Sequence, residues 1–312
     1  MNEYFTARES CPCCKSTDST TLYEVGYTES PMKEYLDSFY SPQGGVEYEY
    51  LEGSYYTLNI CNNCGLIYQK EIPGDFLALR LYDKWIDPAK VFERNKDYDV
   101  RYFIRRAHEI VEVIQHFSTI PSRLAFLDFG MGLGHWCRLA QGFGCDVYGT
   151  ELSQARIEYA KASGIKVISW EEIPNYRFDF VNTEQVFEHL SEPMETLVHL
   201  KRALKPGGMI KISVPNGWDI KRRLKTEDWT APKGSRNSLN PVAPLEHINC
   251  FNHDVIVKMA SRVELKLAVF PFRLIKTGFA VSLKDSVKAI AKSYYDFLTR
   301  KRSTYLFFRN PA

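Results

Sequence analysis

The stretch Leu124-Ala-Phe-Leu-Asp128-Phe-Gly130-Met-Gly132-Leu-Gly134-His-Trp136 decides the fold. A short apolar run leads to an acidic residue, and three alternate glycines follow before a helical pattern begins at His135. Glycine permits both a tight turn and a close approach of the backbone to a ligand. The stretch therefore predicts a strand, a ligand-binding turn and a helix, with an ordinary turn as the alternative.

Strand-like and helix-like segments alternate after this stretch. Strands are predicted at 146–150, 166–169, 178–183, 209–214, 263–270 and 304–308, and helices from 153, over 192–204 and over 285–300. Strands that alternate with helices are typical of a parallel sheet covered on both faces, with ligands beyond the carboxyl ends of its strands. We expect an α/β fold with a doubly wound, mostly parallel sheet.

Composition excludes several classes of protein. The 312 residues are 45% hydrophobic and 25% charged, which excludes a disordered or fibrous chain. The net charge of +2 lacks the strongly basic character typical of proteins that bind nucleic acid or anionic lipid. No apolar run approaches eighteen residues, and the first ten residues do not have the pattern of an export signal. We expect a cytoplasmic protein.

The cysteines near the beginning of the chain predict a metal site. Cys11 and Cys14 form one Cys-x-x-Cys pair, and Cys61 and Cys64 form another. Two such pairs are typical of a structural zinc site with four thiolate ligands, which stabilises folding without taking part in catalysis. Cys13 could replace Cys11 or Cys14 as a ligand, and a redox role of the first pair is a weaker alternative.

The chain divides into three predicted parts. Residues 1–76 form the zinc-binding domain, with short alternating runs such as 46–50 and 55–60 predicted as strands. Residues 77–120 form a helical connection, and apolar residues at helical spacing predict an amphipathic helix over 103–117. Residues 121–312 form the α/β domain, in which the basic and polar segment 215–245 is predicted to be a lid loop.

From about residue 100 onward the chain resembles the class I S-adenosylmethionine-dependent methyltransferases. The matching motifs are the glycine loop, the acidic Glu151 at the end of the next strand, strand four at 178–183, and the Pro206-Gly207-Gly208 turn before strand five. The resemblance implies a seven-stranded Rossmann-like sheet and S-adenosylmethionine as cofactor. It places Gly130 and Gly132 beside the methionine part of the cofactor, Glu151 on the ribose and Trp170 near the adenine. The other expected cofactor-binding residues are Asp128, Gly134, Trp136, Leu152, Glu171, Glu184 and Gln185.

The cysteine pairs together with this domain resemble the deoxysugar C-methyltransferases, which act on nucleotide-linked sugars. Those enzymes have two Glu-His pairs, matched here by Glu188-His189 and Glu246-His247. In the family, a histidine of the later pair is the proton-abstracting base. The family's additional C-terminal domain has no counterpart in this chain, which leaves the nucleotide sugar and a carbon acceptor open.

The expected catalytic residues are His247, His189 and Glu246. Histidine titrates near neutral pH and can take a proton from a hydroxyl group or an activated carbon. His247 is the preferred base, while His189 could equally order the loop after strand four. A third interpretation combines His189, Glu246 and His247 in a divalent metal site similar to that of metal-assisted O-methyltransferases.

The acceptor-binding predictions involve aromatic and basic residues. Tyr82, Trp85 and Tyr98 could cover the acceptor, as an aromatic residue near this position does in the sugar enzymes. Arg222 belongs to a basic run, 221–225, that could bind a phosphate or carboxylate, although such runs are usually solvated loops.

The favoured function is methyl transfer to a small acceptor, a sugar or an activated glycan precursor, at oxygen or carbon. The alternatives are an RNA or protein methyltransferase that docks its substrate with the zinc domain, and a binding module without catalysis. The near-neutral charge disfavours the first alternative, and the intact glycine loop with Glu151 disfavours the second.

Overall fold

The computed structural model describes residues 2–268 and 302–311. Its strands are β1 (Phe5–Ala7), β2 (Ser19–Gly26), β3 (Tyr55–Cys61), β4 (Ile67–Gln69), β5 (Glu71–Pro73), β6 (Ala125–Phe129), β7 (Asp146–Thr150), β8 (Lys166–Val167), β9 (Phe178–Glu184), β10 (Leu204–Ser213), β11 (Asn249–Cys250), β12 (Lys266–Ala268) and β13 (Tyr305–Arg309). Its α-helices are α1 (Met32–Tyr40), α2 (Asp75–Arg80), α3 (Pro88–Lys96), α4 (Val100–His116), α5 (His135–Gly142), α6 (Gln154–Ala162), α7 (Pro193–Arg202), α8 (Ile220–Leu224) and α9 (His253–Arg262). The helix predicted at 285–300 and the end of the strand predicted at 263–270 lie outside the described residues.

Seven strands form the central sheet in the order β8-β7-β6-β9-β10-β13-β12. The pairs from β8 to β10 are parallel, whereas β13 runs antiparallel to both β10 and β12. Adjacent residues of one strand face opposite sides: Phe126 packs with residues of α4 and α5, and Leu127 packs with residues of α7 and α9. Both faces are therefore covered by helices, and the predicted doubly wound, mostly parallel sheet is confirmed.

The turn between β6 and α5 needs glycine for two reasons. Gly130, Gly132 and Gly134 have φ values of +77°, +56° and +72°, a region that L side chains rarely adopt. At Gly134 a Cβ atom would lie 2.1 Å from Cδ1 of Ile165, so packing also excludes a side chain. The backbone amides of Gly130 and Met131 donate to the carbonyl oxygen of Thr150, which ties the turn to the end of β7.

The N-terminal region has its own antiparallel sheets. Strands β1 and β5 pair, and a four-stranded sheet has the order β11-β4-β3-β2. Strand β11 comes from residues almost two hundred positions later in the sequence. The strand predicted at 46–50 is wrong: Tyr48–Tyr50 is a 3-10 helix, because the amide of Leu51 bonds to the carbonyl of Tyr48. The strand predicted at 55–60 corresponds to β3.

The segment 215–245 contains α8 and packs into the core of the N-terminal region. Several of its apolar residues are buried there, among them Ile220, Trp229 and Val242, whereas Trp218 is exposed. The ring of Trp229 lies 5.6 Å from the ring of Tyr56 in β3, in an edge-to-face arrangement. This core thus combines residues from both sides of the predicted domain boundary. Among the described helices, none is both long and apolar enough to span a membrane.

Candidate functional site

A cavity of about 260 Å³ lies beyond the carboxyl ends of β6 and β9. This volume is close to the lower limit of small-molecule pockets. Asp128 and Asn182 line it from the two strands, and Gly130 and Gly132 line it from the turn after β6. A Cβ atom at Gly132 would have no atom within 4 Å, so this glycine faces open space. The arrangement gives a ligand direct access to the backbone of the turn.

Asp128 is buried beneath this cavity. Its carboxyl group accepts a hydrogen bond of 2.7 Å from the side-chain amide of Asn182. Burial raises the pKa of Asp128 to about 6, against the opposing effects of Asn182 and the nearby Lys211. The indole N–H of Trp136, another predicted cofactor residue that lines the cavity, donates to Oε1 of Glu109 at 3.0 Å. Both side chains thus have internal partners that fix their positions.

Arg106 and Glu184 form a charged part of the cavity lining. Nη2 of Arg106 lies 2.9 Å from Oε1 of Glu184, and Nζ of the fully buried Lys211 lies 2.7 Å from Oε2 of Glu184 and 2.9 Å from Oε1 of Glu109. Burial disfavours the charged form of Glu184, but Lys211 and Arg106 keep its pKa below the usual value. Glu184 is among the predicted cofactor-binding residues, whereas Arg106 and Lys211 are not. The spacing of Tyr102 and Arg106, four positions apart on α4, is a signal that could have identified Arg106.

The predicted ribose and adenine residues lie around the end of β7 and beyond β8. Glu151 is held by the backbone: its carboxylate accepts hydrogen bonds from the amides of Gly132, Leu152 and Ser153 at 2.9–3.1 Å. The Leu152 side chain is 98% exposed. The ring of Trp170 stacks on His199 at 3.8 Å and is half exposed, and Glu171 is exposed beside it. Glu151 is therefore preorganised, whereas Leu152, Trp170 and Glu171 border solvent.

A second polar cluster follows β9. Gln185, with a φ of +56°, turns the chain into the 3-10 helix Phe187–His189, and this helix meets the segment before β11. The imidazole rings of His189 and His247 are 4.9 Å apart at an interplanar angle of 73°. The structure therefore brings together the two Glu-His pairs that the sequence analysis identified.

Hydrogen bonds define the tautomers of both histidines. Nδ1 of His189 donates to the carbonyl oxygen of Glu246 at 2.9 Å, and Nδ1 of His247 donates to the carbonyl oxygen of Asn240. A carbonyl oxygen can only accept, so the hydrogen resides on Nδ1 and the neutral ring carries a lone pair on Nε2. Within residues 2–268 and 302–311, Nε2 of His247 has no hydrogen-bond partner.

Burial determines the charge of this cluster. It lowers the pKa of His247 to about 3 and that of His189 to about 4, so both rings are neutral at pH 7. It raises the pKa of Glu246 to about 7, against a hydrogen bond of 3.1 Å from the Tyr40 hydroxyl, and the pKa of Glu188 to about 8. The cluster thus contains two neutral imidazoles and two carboxyl groups that titrate near neutral pH.

The N-terminal region holds both loops of this cluster. Arg8 donates to the carbonyl oxygens of Ile248 and Ser191 at 3.1 and 3.0 Å, and so bridges the two loops. The side-chain amide of Asn249, in β11, donates to the carbonyl oxygens of Phe187 and Leu190 at 3.1 and 2.7 Å. Because β11 pairs with β4, the position of the cluster depends on the N-terminal sheet.

The four predicted acceptor-binding residues differ in environment. The Tyr82 ring is 46% exposed and its hydroxyl lies 3.5 Å from Nδ1 of His189, and Tyr98 lines the cavity. Trp85 is fully buried and its indole N–H donates to Glu47 at 3.0 Å, so it has no face available to an acceptor. The guanidinium of Arg222 donates hydrogen bonds to Asp219, Asn237 and the carbonyl oxygen of Arg236, all within the segment 215–245.

The two Cys-x-x-Cys pairs meet in space. The sulfur atoms of Cys11, Cys14, Cys61 and Cys64 lie within 4.8 Å of one another. Sγ of Cys13 points elsewhere, to Sδ of Met259 in α9 at 3.6 Å. Among the described residues, this geometry favours the first four cysteines as the ligand set, and a thiolate set of this kind fits tetrahedral zinc.

The fold and the cavity together define the class of this domain. A seven-stranded sheet with a single antiparallel strand, and a glycine turn after its central strand, is the architecture of a class I S-adenosylmethionine-dependent methyltransferase domain. Residues 102–268 match the family model described as methyltransferase domain, and this range is more than half of the 312 residues. The chain belongs to this family.

Individual relatives match shorter segments. An uncharacterised methyltransferase of Schizosaccharomyces pombe is 54% identical over 37 residues, which are 12% of this chain and 13% of the relative. A ubiquinone biosynthesis O-methyltransferase of Maricaulis maris is 28% identical over 149 residues, 42% of this chain and 56% of the relative. The chain therefore matches less than two thirds of the length of these two relatives. A solved structure from Galdieria sulphuraria, described as a sarcosine dimethylglycine methyltransferase, covers 67% of this chain and 86% of its own, with 17% identity and a TM-score of 0.44.

Proposed function

We propose that this protein transfers a methyl group from S-adenosylmethionine to an oxygen or carbon atom of a small acceptor, a sugar or an activated glycan precursor, with a histidine as base. The observation that carries the proposal is that Glu188-His189 and Glu246-His247 meet in space. The first of these pairs follows Glu184, which lines the cavity, by a few residues. Corresponding residues of these pairs are 58 positions apart in the sequence, and both pairs match those of the deoxysugar C-methyltransferases.

The residues around the cavity fit S-adenosylmethionine. Gly132 leaves open space beside its backbone, and Glu151 can accept hydrogen bonds from ribose hydroxyl groups. The methionine end of the cofactor has an ammonium and a carboxylate group, and the cavity offers Glu184 for the first and Arg106 for the second. When bound, the cofactor supplies a methyl group that is already activated for displacement.

The role of the protein is to position the acceptor, exclude water and remove a proton. The acceptor atom would lose its proton to Nε2 of His247 as it takes up the methyl group that the bound cofactor supplies. Support for His247 comes from its neutral ring and from Nδ1, which is fixed by the carbonyl of Asn240. A ring with so low a pKa is a weak base, so the proton should leave as the new bond forms. His189 and Glu246 position this ring and the acceptor.

The four-cysteine cluster is proposed to bind structural zinc. Its sulfur atoms are close together and buried or half-buried. They belong to the region that contains β4, the strand with which the edge strand β11 pairs. Zinc would therefore stabilise the N-terminal region, which holds the histidine loops through Arg8 and through the pairing of β4 with β11, the strand of Asn249.

The first experiment is calorimetric titration of the zinc-loaded protein with S-adenosylmethionine and S-adenosylhomocysteine. We expect micromolar binding of both, followed by methyl transfer when free sugars and nucleotide sugars are screened. His247→Ala should retain cofactor binding and lose turnover. Absence of binding would refute the methyltransferase activity, and equal loss of binding and turnover in the variant would refute the role of His247 as base.

A further inference from the structure

Glu188 is a buried carboxyl group that has no hydrogen-bond partner in the described part of the chain. Only 1% of the residue is exposed, and neither carboxyl oxygen forms a hydrogen bond among the described residues. Buried polar groups nearly always have a hydrogen-bond partner, and an unsatisfied one destabilises the folded state. The Glu188 carboxyl group therefore requires a partner that the described part of the chain does not supply.

Two imidazole nitrogens face the same space. Nε2 of His189 lies 3.9 Å from Oε1 of Glu188, which is too far for a hydrogen bond. One ligand atom each of Glu188, His189 and His247 lies within 4.8 Å of the others. Since both Nδ1 atoms donate to backbone carbonyls, both Nε2 lone pairs remain free for a further partner.

We propose that Glu188, His189 and His247 bind one divalent transition-metal ion at a site separate from the four cysteines. Two imidazoles and one carboxylate form a recurrent ligand set for such ions and leave coordination positions open. Histidine ligands typically donate their second ring N–H to a carbonyl oxygen, which fixes the ring, and both histidines here do so. Metal–ligand bonds of about 2.1 Å place ligand atoms about 3 Å apart, so binding would contract the cluster by about 1–2 Å.

The ligand types also separate this site from the cysteine site. Thiolates select zinc, whereas imidazole and carboxylate accept manganese and iron as well. The consequence of binding rests on the proposed function: the ion would occupy Nε2 of His247, the atom that takes the proton in that function, so a bound ion should slow methyl transfer. A water molecule or a polar group of the acceptor could satisfy Glu188 without any ion, and the test distinguishes these cases.

The test is calorimetric titration of full-length, zinc-loaded protein with Mn²⁺, which competes poorly for thiolates. We expect one Mn²⁺ per chain. Glu188→Gln keeps the size of the side chain and removes the anionic ligand, so affinity should fall at least tenfold. His247→Asn keeps an N–H for the carbonyl of Asn240, removes Nε2 and should have a similar effect. Glu195→Gln, at an exposed carboxylate of α7, is the matched control and should bind as the parent does.

Electron paramagnetic resonance of the bound Mn²⁺ should show coupling to histidine nitrogens, which disappears in part in His247→Asn. Absence of Mn²⁺ binding, or binding that is unchanged in both variants, would overturn the proposal. Thermal unfolding verifies that the variants fold. If His247→Asn does not fold, the result for Glu188→Gln alone tests the metal site. S-adenosylmethionine binding is measured on the same samples. Mn²⁺ binding without cofactor binding would contradict the proposed function alone, and the reverse would contradict the metal site alone.

Discussion

Replacement of Gly132 by alanine isolates the contact between the glycine turn and the cofactor. Gly132 has a φ of +56°, and its new Cβ atom would meet no protein atom within 4 Å. The folded state would bear only the left-handed strain of about 1–2 kcal/mol. At about 2–4 °C per kcal/mol, the melting temperature should fall by about 2–8 °C. Because Gly132 lines the cavity, the added methyl group would occupy space that the cofactor needs.

Gly164 provides the matched control. It follows α6 with a φ of +80°, a Cβ atom there would also have no neighbour within 4 Å, and it does not line the cavity. Gly164→Ala should therefore lower the melting temperature by a similar amount. Calorimetric titration with S-adenosylhomocysteine should give an unchanged Kd for Gly164→Ala and a Kd raised at least tenfold for Gly132→Ala, which corresponds to about 1.4 kcal/mol.

The comparison separates strain from contact. Equal Kd values for the two variants would show that the cofactor does not approach Gly132, and would refute the assignment of the turn. A loss of binding in both variants together with a loss of folding would show that the left-handed strain is larger than about 1–2 kcal/mol, and thermal unfolding would reveal that case.

Three further predictions concern other parts of the molecule. Lys211→Met removes a fully buried cation from two glutamates and should lower the free energy of unfolding, measured in urea, by about 3–5 kcal/mol. Lys205→Met, at a partly exposed ion pair, should change this free energy by less than about 1 kcal/mol. Similar losses in both variants would contradict the buried ion pairs of Lys211. Cys14→Ser should lose zinc and Cys13→Ser should keep it, as elemental analysis would show; retention of zinc in the first variant would exclude Cys14 as a ligand. Burial raises the pKa of Asp128 from 3.8 to about 6, so the folded state holds this proton more tightly, and the resulting stabilisation is lost as the pH rises through that window. Relative to Asp128→Asn, the free energy of unfolding should fall by about 2 kcal/mol between pH 4 and 6, and parallel pH curves would refute the shift.

The sequence by itself determined the central sheet. The strands from β6 to β10 alternate with helices along the chain, so these elements depend on residues that are close together in the sequence. The glycine turn was equally readable, because three positive φ values require glycine wherever the turn lies in the chain. The exception at 46–50 shows the limit of local patterns: alternation predicts a strand only where a partner strand is available, and Tyr48–Tyr50 has none in the described structure.

Only the tertiary structure decided what surrounds the two Glu-His pairs. Strand β11 joins the N-terminal sheet, where Cys250 pairs with Ile67, 183 residues earlier in the sequence. Arg8 donates to the carbonyl oxygen of Ile248, 240 residues away. The burial that changes the pKa values of the cluster, and that leaves Glu188 without a partner among the described residues, arises from these contacts. Local periodicity contains no information about such pairs, because their energy comes from side chains that meet only after the chain has folded. The sequence thus determined the cofactor-binding framework, and the packing of the N-terminal region onto it decided the chemistry of the adjacent cluster.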